Sequence, residues 1–117
     1  MSQALVERIR RARESRVTVE VAGSGERQFT VRRPTDAEAV ELREQVEVFG
    51  IVCRYTVGWS LTELDVIPGG DAQPVTFSAE LFREWAADHP EVWRPLFDAV
   101  LDGYSRHRER AGSDAKN

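Results

Sequence analysis

The first third of the chain changes from a helical to an alternating pattern of apolar residues. Between residues 3 and 15, Leu5, Ile9 and Ala12 recur at spacings of four and three among strong helix formers, which predicts a short amphipathic helix. Apolar and polar residues then alternate from 17 to 21 and again from 28 to 32, on either side of a Gly-Ser-Gly turn. This alternation around a glycine-rich turn predicts a β-hairpin.

A long central helix is predicted after the hairpin. Thr35 stands three residues before Glu38, the spacing of a capping box, in which the threonine hydroxyl and the glutamate carboxylate bind backbone amides at a helix start. Gly50 lies within the helical pattern and costs about 1 kcal/mol relative to alanine, so it is a candidate site for a bend. The apolar residues recur at intervals near 3.6 as far as about residue 57, and they are Val40, Leu42, Val46, Phe49, Val52, Cys53 and Val57.

The chain from residue 58 predicts an ordered loop followed by a helix. The periodicity stops between residues 58 and 73, and this segment contains the turn-forming sequence Pro68-Gly69-Gly70. Ser78 is a good N-cap because its hydroxyl can accept from a backbone amide in the first turn of a helix. We expect that helix to end near Asp88, with Leu81, Phe82 and Trp85 on one face.

A last helix is predicted over about residues 94–109. Its apolar stripe contains Leu96, Phe97, Val100 and Leu101, and Pro95 suits the first turn of a helix. The polar residues 111–117 lack an apolar anchor, so we expect them to form a disordered tail.

Together these elements predict an α+β fold in a single domain of residues 1–110. The domain consists of an N-terminal helix, a two-stranded hairpin, a long central helix and two C-terminal helices. An isolated hairpin is marginally stable, so its apolar face is expected to pack on the helices. Part of that face is formed by Val17, Val19, Phe29 and Val31. The predicted core contains Val40, Val46, Phe49, Cys53, Leu81, Phe82, Trp85, Leu96, Phe97 and Val100.

Composition and charge limit the classes of partner. The 117 residues are 41% hydrophobic and 31% charged, which fits a chain that folds as one globular domain. A formal net charge of −4 and an isoelectric point near 5.2 argue against nucleic acid and against anionic membranes as partners. The lone Cys53 cannot form an internal disulfide. Because the sequence also shows no long apolar run and no leader pattern, we expect a cytoplasmic protein.

The titratable residues do not form a catalytic or metal-binding motif. His89 lies at a predicted turn and His107 in a charged stretch, so both are interpreted as solvated side chains. Cys53 falls on the apolar face of the predicted central helix, as a buried thiol does. Asp65 and Asp71 flank a loop without the spacing of an EF-hand. We therefore expect no enzymatic activity, no cofactor and no bound metal.

Five arginines between residues 8 and 16 form the one local excess of positive charge in the sequence. Glu7 and Glu14 are interleaved with them and no aromatic residue accompanies them. The preferred interpretation is therefore the solvated face of an amphipathic helix. A phosphate-binding helix in a small acidic DNA-binding regulator is the alternative.

Five short segments follow one another in a distinctive order: FTVRRPTD at 29–36, VGWS at 57–60, PGG at 68–70, FSAELFREW at 77–85 and WRPL at 93–96. In this order they resemble the tail assembly chaperones of long-tailed bacteriophages and prophages. The resemblance extends from about residue 5 to about residue 108.

The resemblance implies a non-catalytic protein that binds the long helical tape-measure protein and keeps it soluble while tail-tube subunits polymerise around it. It also implies that the chaperone does not remain in the virion. In many such phages a ribosomal frameshift yields a longer product whose extra domain contacts the tail-tube protein, and this chain would then be the shorter product. A different phage structural part, such as a head-to-tail joining protein, is a further alternative.

Four apolar residues are candidates for contact with such a partner: Trp59, Leu61, Trp85 and Trp93. Trp59 lies in the predicted loop outside any helical stripe, and tryptophan is enriched at binding hot spots. Anchoring of the loop to the core is nevertheless the preferred interpretation of Trp59, with partner contact as the alternative. Trp85 and Trp93 lie on helical stripes, which again favours a core role.

Overall fold

The structure is a computed structural model that describes residues 2–42 and 47–116. Its strands are β1 (Glu14–Val21), β2 (Gly25–Arg32) and β3 (Thr56–Trp59). Its helices are α1 (Ser2–Ala12), α2 (Asp36–Leu42), α3 (Val48–Tyr55), α4 (Glu63–Val66), α5 (Ala79–Ala86) and α6 (Trp93–Lys116), with a short 3-10 helix at Pro90–Val92 before α6. These elements confirm the α+β fold class.

The three strands form one antiparallel sheet in the order β1-β2-β3. β1 and β2 pair along their full length, from Glu14 opposite Arg32 to Val21 opposite Gly25. Gly23 and Gly25 both have a φ of 81°, a left-handed conformation that glycine adopts without the steric cost of a Cβ atom. The predicted hairpin is therefore confirmed.

The segment predicted as one long central helix is divided. α2 ends at Leu42, and Glu47 has extended dihedrals (φ −102°, ψ 114°) directly before α3, so the predicted continuity was wrong. α3 then ends at Tyr55, and residues 56–59 form β3, which the sequence did not predict. Short apolar runs fit both a helix and a strand, and pairing with β2 decides the outcome here.

The start of α2 confirms the predicted capping box. The backbone N–H of Glu38 donates to the Thr35 hydroxyl at 3.1 Å, and the N–H of Thr35 donates to the Glu38 carboxylate at 3.0 Å. Ser78 is confirmed as the cap of α5, because its hydroxyl accepts from the Leu81 N–H at 3.1 Å. Both caps depend only on residues within one helical turn.

The core lies between one face of the sheet and helices α3, α5 and α6. The hairpin residues Val19, Phe29 and Val31 are buried and Val17 is partly buried. Buried helix residues include Phe82, Trp85, Leu96, Phe97 and Val100, all of them predicted. The predicted Phe49, Cys53 and Leu81 are only partly buried.

Val40 is a wrong prediction for the core, because its side chain is 64% exposed. The short helix α2 has no fully buried residue, and its contact with the core is made by Leu42, whereas Val40 lies on the exposed side. Val46 lies outside the described residues.

Helix α6 is longer than predicted. It begins at Trp93 and continues to Lys116, so residues 111–116 are helical and differ from the predicted disordered tail. Once a helix has formed, each added residue gains a backbone hydrogen bond without a new nucleation cost, so α6 extends into this polar segment without an apolar anchor. Asn117 lies outside the described residues.

Across the two described stretches, no helix has both the length and the apolar character needed to cross a bilayer.

Candidate binding surface

The three tryptophans proposed as partner contacts are anchored by hydrogen bonds to backbone carbonyls. In each case the indole N–H donates to a carbonyl of another element or loop. The pairs are Trp59 with Val75 at 2.8 Å, Trp85 with Asp65 at 3.2 Å and Trp93 with Ala86 at 2.7 Å. Because a buried indole needs a partner for its N–H, this pattern is typical of tryptophans that hold a fold together.

Trp59 lies on β3, not in a loop as predicted, and it packs into an aromatic cluster. Its ring centroid is 5.4 Å from that of Phe77, 6.1 Å from Phe82 and 6.0 Å from Trp85. It is partly buried and stands opposite Phe29 in the sheet. The contacts agree with the preferred interpretation, in which Trp59 is a core anchor.

The other three candidates expose little of their side chains to a partner. Leu61 is 1% exposed and Trp85 is 5% exposed. Trp93 is partly buried and its ring centroid lies 4.9 Å from that of Phe49. The structure therefore brings Trp59 and Trp85 together in the core and places Trp93 beside Phe49, without forming an exposed patch from the four candidates.

An ion pair holds the segment after β3 against the hairpin. The Arg27 guanidinium on β2 donates to both carboxylate oxygens of Asp65, at 2.9 and 3.0 Å. Asp65 also accepts from the Thr62 N–H at 2.8 Å, which caps α4. These hydrogen bonds, with that of Arg27 as the largest cause, hold the pKa of the Asp65 carboxyl well below its usual range. The segment is therefore ordered by charge as well as by Trp59.

Glu38 joins β2, α2 and α3. Its carboxylate accepts two bonds from Arg32, at 2.8 and 3.0 Å, and one from Arg54 at 3.2 Å. The hydrogen bonds from Arg32 are the main cause that lowers the Glu38 pKa to about 2. The Arg32 guanidinium also lies 4.5 Å from the centroid of the buried Tyr55 ring, a cation–π contact. Because the Glu38 carboxylate is paired with the guanidinium groups of Arg32 and Arg54, we interpret this network as one that stabilises the fold.

The titratable residues considered in the sequence have ordinary structural contacts. His89 is not freely solvated, because Nδ1 lies 2.8 Å from the Trp85 carbonyl oxygen and the ring stacks on the indole. His107 is also engaged, with Nε2 3.2 Å from an Asp36 carboxylate oxygen. Burial raises the pKa of the Cys53 thiol, which disfavours the nucleophilic thiolate. Within residues 2–42 and 47–116, no three His, Cys, Asp or Glu side chains lie close enough to hold a metal ion.

An exposed group of apolar side chains lies on α1. No residue of this helix is buried, although its apolar residues share one side: Leu5 is 57% exposed, Ile9 54% and Val6 37%. We call these three residues the α1 face. The sequence predicted the helix and placed Leu5 and Ile9 on its apolar side, but it missed Val6 and could not show that the α1 face stays exposed in the described structure. A strongly amphipathic helix at one end of the chain was the available signal.

A cleft of about 360 Å³ adjoins the C-terminal end of α1. Arg10 and Arg13 lie on the α1 side, and the exposed Val57 of β3 lies on the other. We call it the α1 cleft, and its lining residues are Arg10, Arg13, Glu14, Arg32, Thr35, Glu38 and Val57. The cleft therefore lies at the opposite end of α1 from Leu5, and none of the three residues of the α1 face lines it.

No protein-family model matches the chain, and no significant match was found among curated proteins or solved structures.

Proposed function

We propose that this protein is a non-catalytic, cytoplasmic tail assembly chaperone of a long-tailed phage, which binds apolar helical segments of the tape-measure protein through the α1 face. The observation that carries the proposal is that α1 has no buried residue although its pattern is amphipathic. An apolar helix face that stays exposed in the described part of the domain is typical of a protein-binding site.

The charges on α1 favour a foreign partner over a second copy of this chain. Arg8, Arg10 and Arg11 outnumber Glu7 on this helix. Two copies of α1 packed face to face would bring arginines close to arginines, which is destabilising. A helix that carries carboxylates beside its apolar stripe fits this surface better.

The choice of the tape-measure protein follows from the order of the sequence motifs. A tape-measure chain exposes long apolar helical faces before the tube forms around it, and such faces need a protein that covers them. If a helix of the tape-measure protein packed on the α1 face, the apolar stripe of that helix would bury Leu5 and Ile9. The tail-tube protein is a second partner that the resemblance implies for a longer frameshifted product.

The proposal is tested by co-expression with the tape-measure protein encoded nearby. We expect the tape-measure protein to become soluble and to co-purify with this chain. Because the contact is apolar, the complex should survive about 1 M salt, where the Debye length falls to about 3 Å. The double substitution Leu5→Gln with Ile9→Gln should weaken binding about tenfold or more, since two apolar anchors lose their contact.

The matched control is Glu7→Gln with Arg11→Gln, which removes an ion pair of 4.0 Å on the same exposed helix and leaves its net charge unchanged. We expect this control to bind like the wild type. Both double variants should keep their unfolding midpoints, because the substituted side chains are exposed. Equal binding by both variants would refute the role of the α1 face. Detection of the chain in mature virions, or salt-steep binding to duplex DNA, would favour the structural or the regulatory alternative.

A further inference from the structure

A second cleft, of about 280 Å³, lies where the end of α1, the start of β1 and the residue after β2 meet α6. Gly103 allows this approach, because a Cβ atom there would lie 3.3 Å from the Cβ of Arg33. We call this the basic cleft, and its lining residues are Ala12, Arg13, Glu14, Ser15, Arg33, Gly103, Arg106, His107 and Arg110. The lining of the basic cleft therefore contains four arginines and one carboxylate, that of Glu14.

In the described part of the chain, the four cleft arginines lack the direct ion pairs that three other arginines of the protein form. Arg27, Arg32 and Arg54 all form ion pairs with carboxylates. Among the side chains that the structure describes, none of the four cleft arginines has a carboxylate oxygen within 4.0 Å, the distance found in those pairs. The structure thus concentrates uncompensated positive charge in one concavity of an acidic protein.

Two of the cleft arginines also lack favourable surroundings. The Nε of Arg13 is buried and has no hydrogen-bond partner among the described residues. Arg33 donates one bond, at 2.9 Å, to the Pro34 carbonyl oxygen. Burial, followed by the charge of Arg13, lowers the pKa of Arg33. An anion in the cleft would reduce the repulsion between the guanidinium groups of Arg13 and Arg33.

Asp36 lies beside the cleft and offsets part of its positive charge. It is 3.2 Å from the lining residue His107 and 3.5 Å from Arg108, and it accepts a hydrogen bond from the Tyr104 hydroxyl at 3.0 Å. Its negative charge also favours the ionised form of Arg33 and so opposes the lowering of that pKa. With Asp36 and Glu14 both counted, the four arginines still leave the cleft with a net positive charge. Glu14 is exposed at the rim and supplies a single charge.

We propose that the basic cleft binds a short acidic segment of a partner protein, whose carboxylates pair with Arg13, Arg33, Arg106 and Arg110. Guanidinium groups bind carboxylates through paired hydrogen bonds, and two or three carboxylates match the charge of the cleft. The inference does not depend on the identity of the partner as a tape-measure protein.

Nucleic acid fits this cleft less well than a peptide does. Duplex DNA carries about one charge per 1.7 Å of its axis, so phosphates beyond the cleft would face the rest of the protein. That protein has a net charge of −4, and α6 itself carries Asp98, Asp102 and Glu109 beside the arginines. A short acidic peptide confines its charge to the cleft and avoids this repulsion.

The test is the binding of a fluorescently labelled hexaglutamate peptide to the full chain, measured by anisotropy at about 50 mM salt, where screening is weak. The double substitution Arg106→Gln with Arg110→Gln should weaken binding about tenfold, since each removes one charge-assisted contact. The matched control is Arg83→Gln with Arg94→Gln. It removes the same charge from exposed positions that neither line the cleft nor contact Asp36. We expect the control to change binding less than about twofold.

Three results would overturn the proposal. They are no binding by the wild type, equal weakening by the two double variants, and tighter binding of a duplex oligonucleotide that displaces the peptide. Urea unfolding midpoints establish that each variant is folded. We expect these midpoints to equal that of the wild type, because the substituted side chains are exposed. Weakening of peptide binding at about 0.5 M salt would support an electrostatic contact, and insensitivity to salt would count against it.

Discussion

A Glu38→Gln substitution tests whether one carboxylate on α2 holds the hairpin and α3 together. Glutamine keeps the size of the side chain and can still accept the bond from the Thr35 amide, since glutamine also serves in a capping box. It cannot match the charges of Arg32 and Arg54, which contact Glu38 at 2.8 and 3.2 Å. The substitution therefore isolates the contribution of charge.

The expected size of the effect follows from the pKa of Glu38, which is lowered from 4.5 to about 2. Since a tenfold change in a proton-binding constant is worth about 1.36 kcal/mol, this lowering of the Glu38 pKa corresponds to about 3.4 kcal/mol of folding free energy. The Glu38 side chain is 19% exposed and that of Arg54 is 42% exposed, so water screens part of this interaction. We expect Glu38→Gln to lower the free energy of unfolding by about 1.5 to 2 kcal/mol at pH 7.

The effect depends on pH with a definite sign. Because the pKa is lower in the folded state, the ionised carboxylate stabilises the fold fully above about pH 5, and this stabilisation is lost as the pH falls toward 2. The difference between wild type and variant should therefore be constant from pH 7 to pH 5 and less than half as large near pH 3. Urea unfolding at these three pH values measures it.

Glu41→Gln is the matched control. Glu41 lies on the same helix and contacts Arg54 at 3.3 Å, but its side chain is 68% exposed. We expect this control to cost less than about 0.5 kcal/mol at any pH. Equal losses in the two variants, or a Glu38→Gln effect that does not shrink near pH 3, would refute the assignment of the stabilisation to the charge of Glu38.

Two further predictions concern Thr35 and Trp59. Thr35→Ala should lower the free energy of unfolding by about 1 kcal/mol, because the Glu38 N–H loses its bond to the hydroxyl; unchanged thermal and urea midpoints would contradict this. Trp59→Ala should cost about 3 to 5 kcal/mol, because it removes a hydrogen bond to Val75 and three aromatic contacts. Under conditions where Trp59→Ala is folded, its affinity for the tape-measure protein should stay near that of the wild type. A loss of affinity without a loss of stability would instead identify Trp59 as a contact residue.

The elements that the sequence predicted well depend on neighbouring residues. The hairpin follows from alternation and a glycine turn, and the caps Thr35 and Ser78 need only a partner three residues away. The apolar stripes of α5 and α6 place Phe82 and Leu96 on faces that the sheet covers. In each case the information lies within one or two turns of chain, where the geometry of helices and strands is fixed.

The candidate binding surface could not be predicted in the same way. Tryptophan is common both in cores and at binding hot spots, so residue type alone did not separate Trp59 and Trp85 from surface contacts. Their indole bonds to Val75 and Asp65 span 16 and 20 residues, which no local pattern reveals. The basic cleft likewise unites arginines that are distant in sequence, from Arg13 to Arg110.

By itself, the sequence determined the α+β class, the hairpin, the caps of α2 and α5 and the amphipathic character of α1; it did not predict the start of α3 or the short helix α4. Tertiary structure alone decided that residues 56–59 form a strand, that Val40 is exposed and that no residue of α1 is buried. The physical reason is that a periodic pattern shows which side of an element is apolar, whereas burial depends on whether another part of the chain packs there. Such packing is a property of the whole fold, because it requires contacts between residues far apart in sequence.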